Sequence, residues 1–134
     1  MRKTILMLLL LSVVSSNATA QWVGVGGNDY STIFADPSTI HKVDKYEEML
    51  SLYDTDIAEV VGKISFKSSE SLDEYDCNAK QSRTLAFYWY SDNMGEGNVL
   101  YSNTAAGNWN PDLPKSINET LWKIACGKMK ADMN

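Results

Sequence analysis

The chain has 134 residues, with 12 Lys and Arg against 17 Asp and Glu, which gives a formal net charge of -5 at pH 7. Affinity for nucleic acid depends mainly on cationic side chains that neutralise phosphates, so this balance argues against a nucleic-acid partner. Hydrophobic residues make up 44% of the sequence and charged residues 22%. That composition is typical of one globular domain and excludes wholesale disorder.

The first twenty residues have the pattern of a secretory signal peptide. Arg2 and Lys3 form a basic start, residues 5–14 are apolar, and residues 18–20 match the small-x-small cleavage pattern. A membrane-spanning helix needs roughly 18 apolar residues, so an uncleaved anchor is the weaker alternative. We therefore expect residues 1–20 to be removed and the remainder to be periplasmic, cell-surface or secreted, without a transmembrane span. Because no cysteine lies near the cleavage point, we expect no lipid anchor on an N-terminal Cys.

Cys77 and Cys126 are the only cysteines, and both lie in the part expected to be exported. An oxidising compartment favours their pairing, so we predict a disulfide. The bridge closes a loop of 49 positions, for which the chain-entropy relation gives about 4 kcal/mol. Two separate thiols, or metal ligation by them, are weaker alternatives because neither cysteine belongs to a C-x-x-C pair.

Strand patterns dominate the first half of the exported part. Residues 22–25 and 32–35 flank a glycine-rich turn and predict a hairpin, which a turn at Asp36-Pro37-Ser38 follows. Residues 46–54 alternate between two faces, which predicts a half-buried strand. Residues 57–61 are ambiguous.

A polar stretch, residues 67–71, separates two short strand patterns at 64–66 and 72–77. It predicts a bulge, an edge strand or a mobile loop. The acidic run beside it could contact a basic partner, or it could keep an edge strand soluble. The candidate binding residues from this run are Glu70, Asp73 and Glu74.

The strongest strand pattern is at residues 83–91, where bulky side chains on both faces predict a central strand. Residues 92–97 form a short connection to a strand at 97–102, which predicts a second hairpin. Residues 103–114 are expected to form a loop. Trp109 in this loop either covers the core or, if exposed, is a candidate binding residue, since tryptophan is enriched at interface hot spots.

A helix is predicted after Pro114, where the apolar residues change to a spacing of about 3.6. Ser116 and Glu119 predict a capping box, in which each side chain accepts from the other's backbone N–H. Gly127 predicts the helix end, and residues 129–134 are expected to form a flexible tail.

Strands followed by one late helix predict an α+β domain over residues 21–128. We expect a mostly antiparallel sheet of about five or six strands, packed against one C-terminal α-helix and held by one disulfide.

No catalytic residue, metal site or cofactor is predicted. His41 is the only histidine, so every histidine-based scheme must use it, and it lies in a polar connection where we expect a solvated loop residue. The chain has no G-x-S-x-G nucleophile motif, no H-x-x-x-H zinc pattern and no calcium-loop motif. We therefore expect that the protein is not an enzyme.

Four segments together resemble one known family. They are IFADPSTI at 33–40, EYDC at 74–77, WYSDNMG at 89–95 and ETLWKIAC at 119–126. This combination is similar to the surface-adhesin protein E family over nearly the whole exported part.

The resemblance implies a bacterial exported domain, an antiparallel sheet packed on one helix, and a bridge between Cys77 and Cys126. It also implies adhesion, because the family's best-known member is a cell-surface adhesin that binds host matrix and serum proteins such as vitronectin and laminin and can associate with haem. That member is lipid-anchored and has a basic matrix-binding region, whereas the comparable stretch here, residues 67–76, is acidic.

Three functions follow, in order of preference. The first is a non-enzymatic exported module that binds a protein partner, such as a host extracellular-matrix protein. The second is a periplasmic small-ligand or accessory module, associated with haem through His41 or Met94. The third is a small secreted hydrolase with His41 as its general base.

Overall fold

The computed structural model describes residues 20–131. The predicted signal peptide, except for Ala20, and residues 132–134 of the predicted tail lie outside this range. The elements, in chain order, are β1 Val23–Gly27, β2 Ser31–Val43, β3 Tyr46–Val61, β4 Ile64–Asp76, β5 Gln81–Tyr90, a short 3₁₀ turn at Asn93–Gly95, β6 Val99–Asn103, β7 Asn110–Pro111 and the helix α1 Ile117–Ala125.

The seven strands form one antiparallel sheet in the order β1-β2-β3-β4-β5-β6, and each strand pairs with the one that follows it. The short β7 pairs with the start of β5, on the stretch of its edge that β6 leaves free. The predicted α+β class, with one C-terminal helix, is confirmed, as are both predicted hairpins. The predicted 103–114 loop is interrupted by β7.

Side chains alternate across each strand, so the sheet has two distinct faces. The helix face carries Ala35, Met49 and Tyr75, which pack under α1. The open face, on the other side, carries alternate residues such as Leu52 and Glu74. The sheet also has two ends. The distal end carries the β1–β2, β3–β4 and β5–β6 connections, and the disulfide end carries the β2–β3 and β4–β5 turns.

The helix buries one apolar side against the helix face. Burying a large apolar side chain contributes roughly 1.5–3 kcal/mol, so this contact supplies much of the stability of the domain. Trp122 also donates its indole N–H to the backbone carbonyl of Asp76 at 2.9 Å, which satisfies a buried donor. The residues that α1 contributes to the core are Leu121, Trp122, Ile124 and Ala125.

One of the two hydrogen bonds of the predicted capping box is present at the start of α1. Ser116 Oγ accepts from the backbone N–H of Glu119 at 3.1 Å, as expected. The predicted hydrogen bond from the Ser116 backbone N–H to the Glu119 carboxylate is absent. Glu119 instead accepts from the N–H of Lys115 at 3.3 Å and binds the ammonium groups of Lys80 and Lys123. Two nearby cations draw the carboxylate away from the Ser116 N–H. Gly127, with φ of 69°, lies just beyond the helix as predicted.

The predicted disulfide is confirmed. Cys77 directly follows β4, Cys126 caps the carboxyl end of α1, and their Cα atoms are 5.6 Å apart. The bridge therefore ties the last turn of the helix to the disulfide end of the sheet.

The prediction of a turn at Asp36-Pro37-Ser38 is wrong, because β2 runs on to Val43. The pairing of β2 with β3 shifts register between Asp36 and His41, and this irregularity accommodates the proline. The Asp36 carboxylate accepts from the backbone N–H of Ser38 at 3.1 Å, so the local turn chemistry exists inside the strand. His41 consequently lies in a strand and not in a loop.

The expectation of an edge strand or mobile loop at residues 67–71 is also wrong. Residues 64–76 form one continuous strand, β4, which pairs with β3 on one side and β5 on the other. The ambiguous residues 57–61 complete β3, after a bulge between Asp54 and Glu59. Two of the serines are satisfied inside this strand, because Ser68 Oγ donates to the backbone carbonyl of Asp92 at 2.6 Å and Ser71 Oγ donates to Asp73 at 3.0 Å.

Candidate functional site

The four candidate binding residues do not form one cluster. Glu70 and Glu74 lie on the open face, whereas Asp73 lies on the helix face, because an odd spacing in a strand reverses the side chain. Trp109 lies between β6 and β7 and is half-buried. Their role in binding stays a prediction.

Glu74 belongs to a row of charges across the open face. The register places His41 opposite Glu48, Glu48 opposite Glu74, and Glu74 opposite Arg83. Arg83 Nη2 lies 3.0 Å from Glu74 Oε1, and His41 Nε2 lies 3.5 Å from Glu48 Oε2. The two central carboxylates are buried and the two outer groups carry or can carry positive charge, so the row balances itself. This argues for a structural role of Glu74.

Trp109 completes this arrangement. Its ring lies 4.8 Å from Arg83 Cζ and 4.9 Å from the ring centroid of Tyr46. A guanidinium over an indole face is a favourable cation–π contact. The ring therefore covers the Arg83–Glu74 ion pair, which accounts for its presence in a polar loop.

Glu70 lies further along the open face, opposite Leu52 and Tyr88. Burial raises the pKa of its carboxyl, and the nearby charge of Asp36 raises it further. The short 3₁₀ turn lies alongside, where Asp54 Oδ1 accepts from the backbone N–H of Met94 at 2.7 Å.

His41 and Met94, the two candidate haem ligands, lie at opposite ends of the sheet. His41 is opposite Glu48 and Met94 contacts Asp54. Glu48 and Asp54 are six positions apart on β3, which corresponds to about 20 Å at roughly 3.3 Å per residue. The two side chains therefore cannot bind the same iron. The His41 side chain is 58% exposed, as a solvated residue would be.

A cleft of about 290 Å³ lies on the helix face, between the first turns of α1 and the strands β3 to β5. Asp73 lies on its floor and accepts three hydroxyl hydrogen bonds. Thr84 Oγ1 and Ser71 Oγ donate to Oδ1 at 2.7 and 3.0 Å, and Ser51 Oγ donates to Oδ2 at 3.3 Å. Burial raises the pKa of Asp73, although these three hydrogen bonds oppose the shift.

A second carboxylate lies beside the cleft. Asp112 is only 4% exposed, and its Oδ1 accepts from Ser82 Oγ at 2.7 Å. Its Oδ2 is buried and has no hydrogen-bond partner in the described part of the chain. Burial raises its pKa, and its charge also acts on Asp73. Sequence reasoning missed this hydroxyl and carboxylate cluster, although the serines at 69 and 71 share one strand face.

Large apolar side chains are exposed at the distal end and along β6. Tyr30 is 60% exposed in the β1–β2 connection and Val60 is 66% exposed near the β3–β4 turn. β6 is the last strand in the order, so its outer backbone edge is unpaired among residues 20–131. The exposed apolar residues in this region are Tyr30, Ile57, Val60, Val61, Met94, Val99, Leu100 and Tyr101.

Within residues 20–131, no group of three or more His, Cys, Asp and Glu side chains is placed to hold a metal ion. No helix in this same range is long and apolar enough to cross a membrane.

Comparison with known proteins agrees with this architecture. Two solved structures of Haemophilus influenzae protein E superpose with TM-scores of 0.66 and 0.64 at 12% sequence identity, covering 84% of this chain and 91% and 88% of theirs. At this identity the likeness shows the fold alone. No curated protein matches the chain in a sequence comparison.

A single antiparallel sheet with one disulfide-linked helix is the fold that the chain shares with these structures. The family profile described as Surface-adhesin protein E matches residues 22–127. The chain therefore belongs to the surface-adhesin protein E family, and the resemblance drawn from its sequence is confirmed.

Proposed function

We propose that this protein is a non-enzymatic, exported module that attaches to another protein, with a host extracellular-matrix protein as the first candidate. Membership of an adhesin family supports attachment as the general role. The proposal rests on the exposed apolar residues at the distal end of the sheet. The β5–β6 connection at this end leads directly into β6, whose outer edge is unpaired among residues 20–131.

The edge of β6 suits a protein partner better than a small molecule. The strand, Val99–Asn103, contains no charged residue and no proline, so it lacks the features that usually block pairing with another strand. An extended segment of a partner could add to this edge, taking affinity from main-chain hydrogen bonds and specificity from side-chain contacts. Leu100 and Tyr101, 40% and 41% exposed, would contribute the apolar contacts.

The binding test is a solid-phase assay against purified vitronectin and laminin across a salt series. Leu100→Lys places a charge on the edge and should reduce binding about tenfold or more, because a buried unpaired charge is costly. Leu113→Lys is the matched control, since Leu113 is 63% exposed and lies outside the sheet. Apolar attachment should survive high salt, which screens surface charges. Absence of wild-type binding to matrix proteins, or equal binding by Leu100→Lys, would refute the proposal.

Location is tested separately, by fractionation and protease treatment of intact cells. Digestion of the protein on intact cells supports a role in adhesion. Strict retention in the periplasm contradicts it and favours the accessory-module alternative.

A further inference from the structure

We infer that the helix-face cleft, with Asp73 on its floor, binds an ammonium group such as that of a lysine side chain or a small primary amine. This inference does not depend on the proposed function, because it concerns the other face and a different kind of ligand.

The hydrogen-bond directions in the cleft leave it rich in acceptors. A hydroxyl has one hydrogen, and the hydroxyls of Ser51, Ser71 and Thr84 all donate theirs to Asp73. Each of these oxygens can then only accept from a ligand. The floor therefore presents three hydroxyl oxygens and a carboxylate, which can accept hydrogen bonds from a ligand and have no free hydrogen to donate to one.

The negative charge at the cleft is only partly compensated, because Lys80 favours the charged form of Asp112 but no cation is paired with Asp73 in the described residues. Asp73 forms no ion pair within the described residues, and Asp112, with its unpartnered Oδ2, adds a second negative group nearby. The nearest cations are occupied, because Lys80 binds Glu119 and the guanidinium of Arg83, a residue that also borders the cleft, binds Glu74. A ligand that brings both positive charge and N–H donors satisfies this environment.

Other ligand classes fit less well. The negative charge of Asp73 would repel an anion. A neutral sugar would have few N–H or O–H donors in the cleft for its own oxygen atoms. A calcium or magnesium ion prefers several carboxylate ligands, and no such group was found within residues 20–131. An ammonium has three donors and no acceptor.

The surroundings of the cleft suit the carbon chain of an amine. Apolar side chains line part of the cleft, among them Ile33, Ile117 and Leu121. Phe87 and Trp89 lie on the same face of the sheet, paired with Ser71 and Ser69. Phe87, Trp89 and Tyr101 lie within 5.9 Å of one another by ring centroid. Aromatic rings accept both methylene groups and cations. A volume of about 290 Å³ is enough for a short chain.

The test is titration of the ¹⁵N-labelled full chain by NMR at low ionic strength. The probes are Nα-acetyl-lysine amide, its Nε-acetylated form and cadaverine. We expect saturable shifts centred on Ser69, Ser71 and Thr84 for the lysine probe, and at least tenfold weaker binding of the Nε-acetylated form. Preference for the lysine probe over cadaverine identifies a peptide lysine as the ligand, and the reverse identifies a free amine. Both results support an ammonium site.

Variants locate the site. Asp73→Asn should weaken binding about tenfold or more, because it removes the charge that strengthens the hydrogen bonds. Asp56→Asn makes the same change at an exposed residue and should bind like the wild type. If Asp73→Asn fails to fold, Ser69→Lys brings an ammonium into the cleft and should abolish binding, whereas Ser65→Lys on the same strand should not. Equal affinity for the acetylated probe, or wild-type affinity in the folded Asp73 or Ser69 variant, overturns the inference.

Discussion

Replacing both cysteines with alanine should destabilise the protein strongly while leaving its fold intact. The bridge joins residues 49 positions apart, and the chain-entropy relation assigns such a loop about 4 kcal/mol at 25 °C. The native contacts of α1 do not require the bridge, since Trp122 still donates to the carbonyl of Asp76 and Leu121 still packs on the sheet. The loss therefore comes mainly from the greater freedom of the unfolded chain.

Urea denaturation followed by circular dichroism measures this loss. The Cys77→Ala, Cys126→Ala variant should have a lower unfolding midpoint and a steeper denaturant dependence, because an unfolded chain without a crosslink exposes more surface. The wild type in a reducing agent should match it, which controls for the substitutions themselves. A loss of less than about 1 kcal/mol in both samples would show that the entropic reasoning does not apply to this bridge.

Two further predictions concern the helix. Leu121→Ala should lower the free energy of unfolding by about 2–5 kcal/mol, because Leu121 is 5% exposed and its loss leaves a cavity. Leu113→Ala, at a 63% exposed position, should change the free energy of unfolding by less than about 0.5 kcal/mol. Equal effects of the two variants in urea denaturation would contradict the assigned core. Lys80 and the N–H of Lys115 lower the pKa of Glu119 from 4.5 to about 2, so its stabilising contribution is complete above pH 4.5 and is lost as the pH falls towards 2. Lys80→Met should therefore reduce the loss of stability between pH 6 and pH 3, and an unchanged acid profile would contradict this pairing.

Local patterns were sufficient to predict most of the fold. The alternation in 46–54 and 83–91, the glycine-containing turns and the 3.6-residue spacing after Pro114 act within a few residues, and each corresponds to an element of the structure. The two cysteines supplied the one long-range restraint. The turn at Asp36-Pro37-Ser38 failed because turn residues can also occur at an irregularity inside a strand, where a neighbouring strand decides the outcome.

The candidate site was less accessible to prediction. Serine has little preference of its own for a buried strand, so residues 67–71 looked like a loop or an edge. Within this stretch Ser68 donates to the backbone carbonyl of Asp92, 24 positions away, and the nearby Asp73 accepts from Ser51 on β3 and Thr84 on β5. Such partners are visible only when the strands are assembled. The contact of Trp109 with Arg83 was not predictable for the same reason, because the two residues are distant in sequence.

The order of the strands also bears on how the chain acquires its structure during synthesis. Every strand from β1 to β6 neighbours the one made just before it, so each can pair as soon as it emerges. The helix is made last, and until it arrives Met49 and Tyr75 have nothing to cover them. A ribosome-bound or truncated product lacking residues 117–126 would expose this hydrophobic surface, and we expect chaperones to bind it.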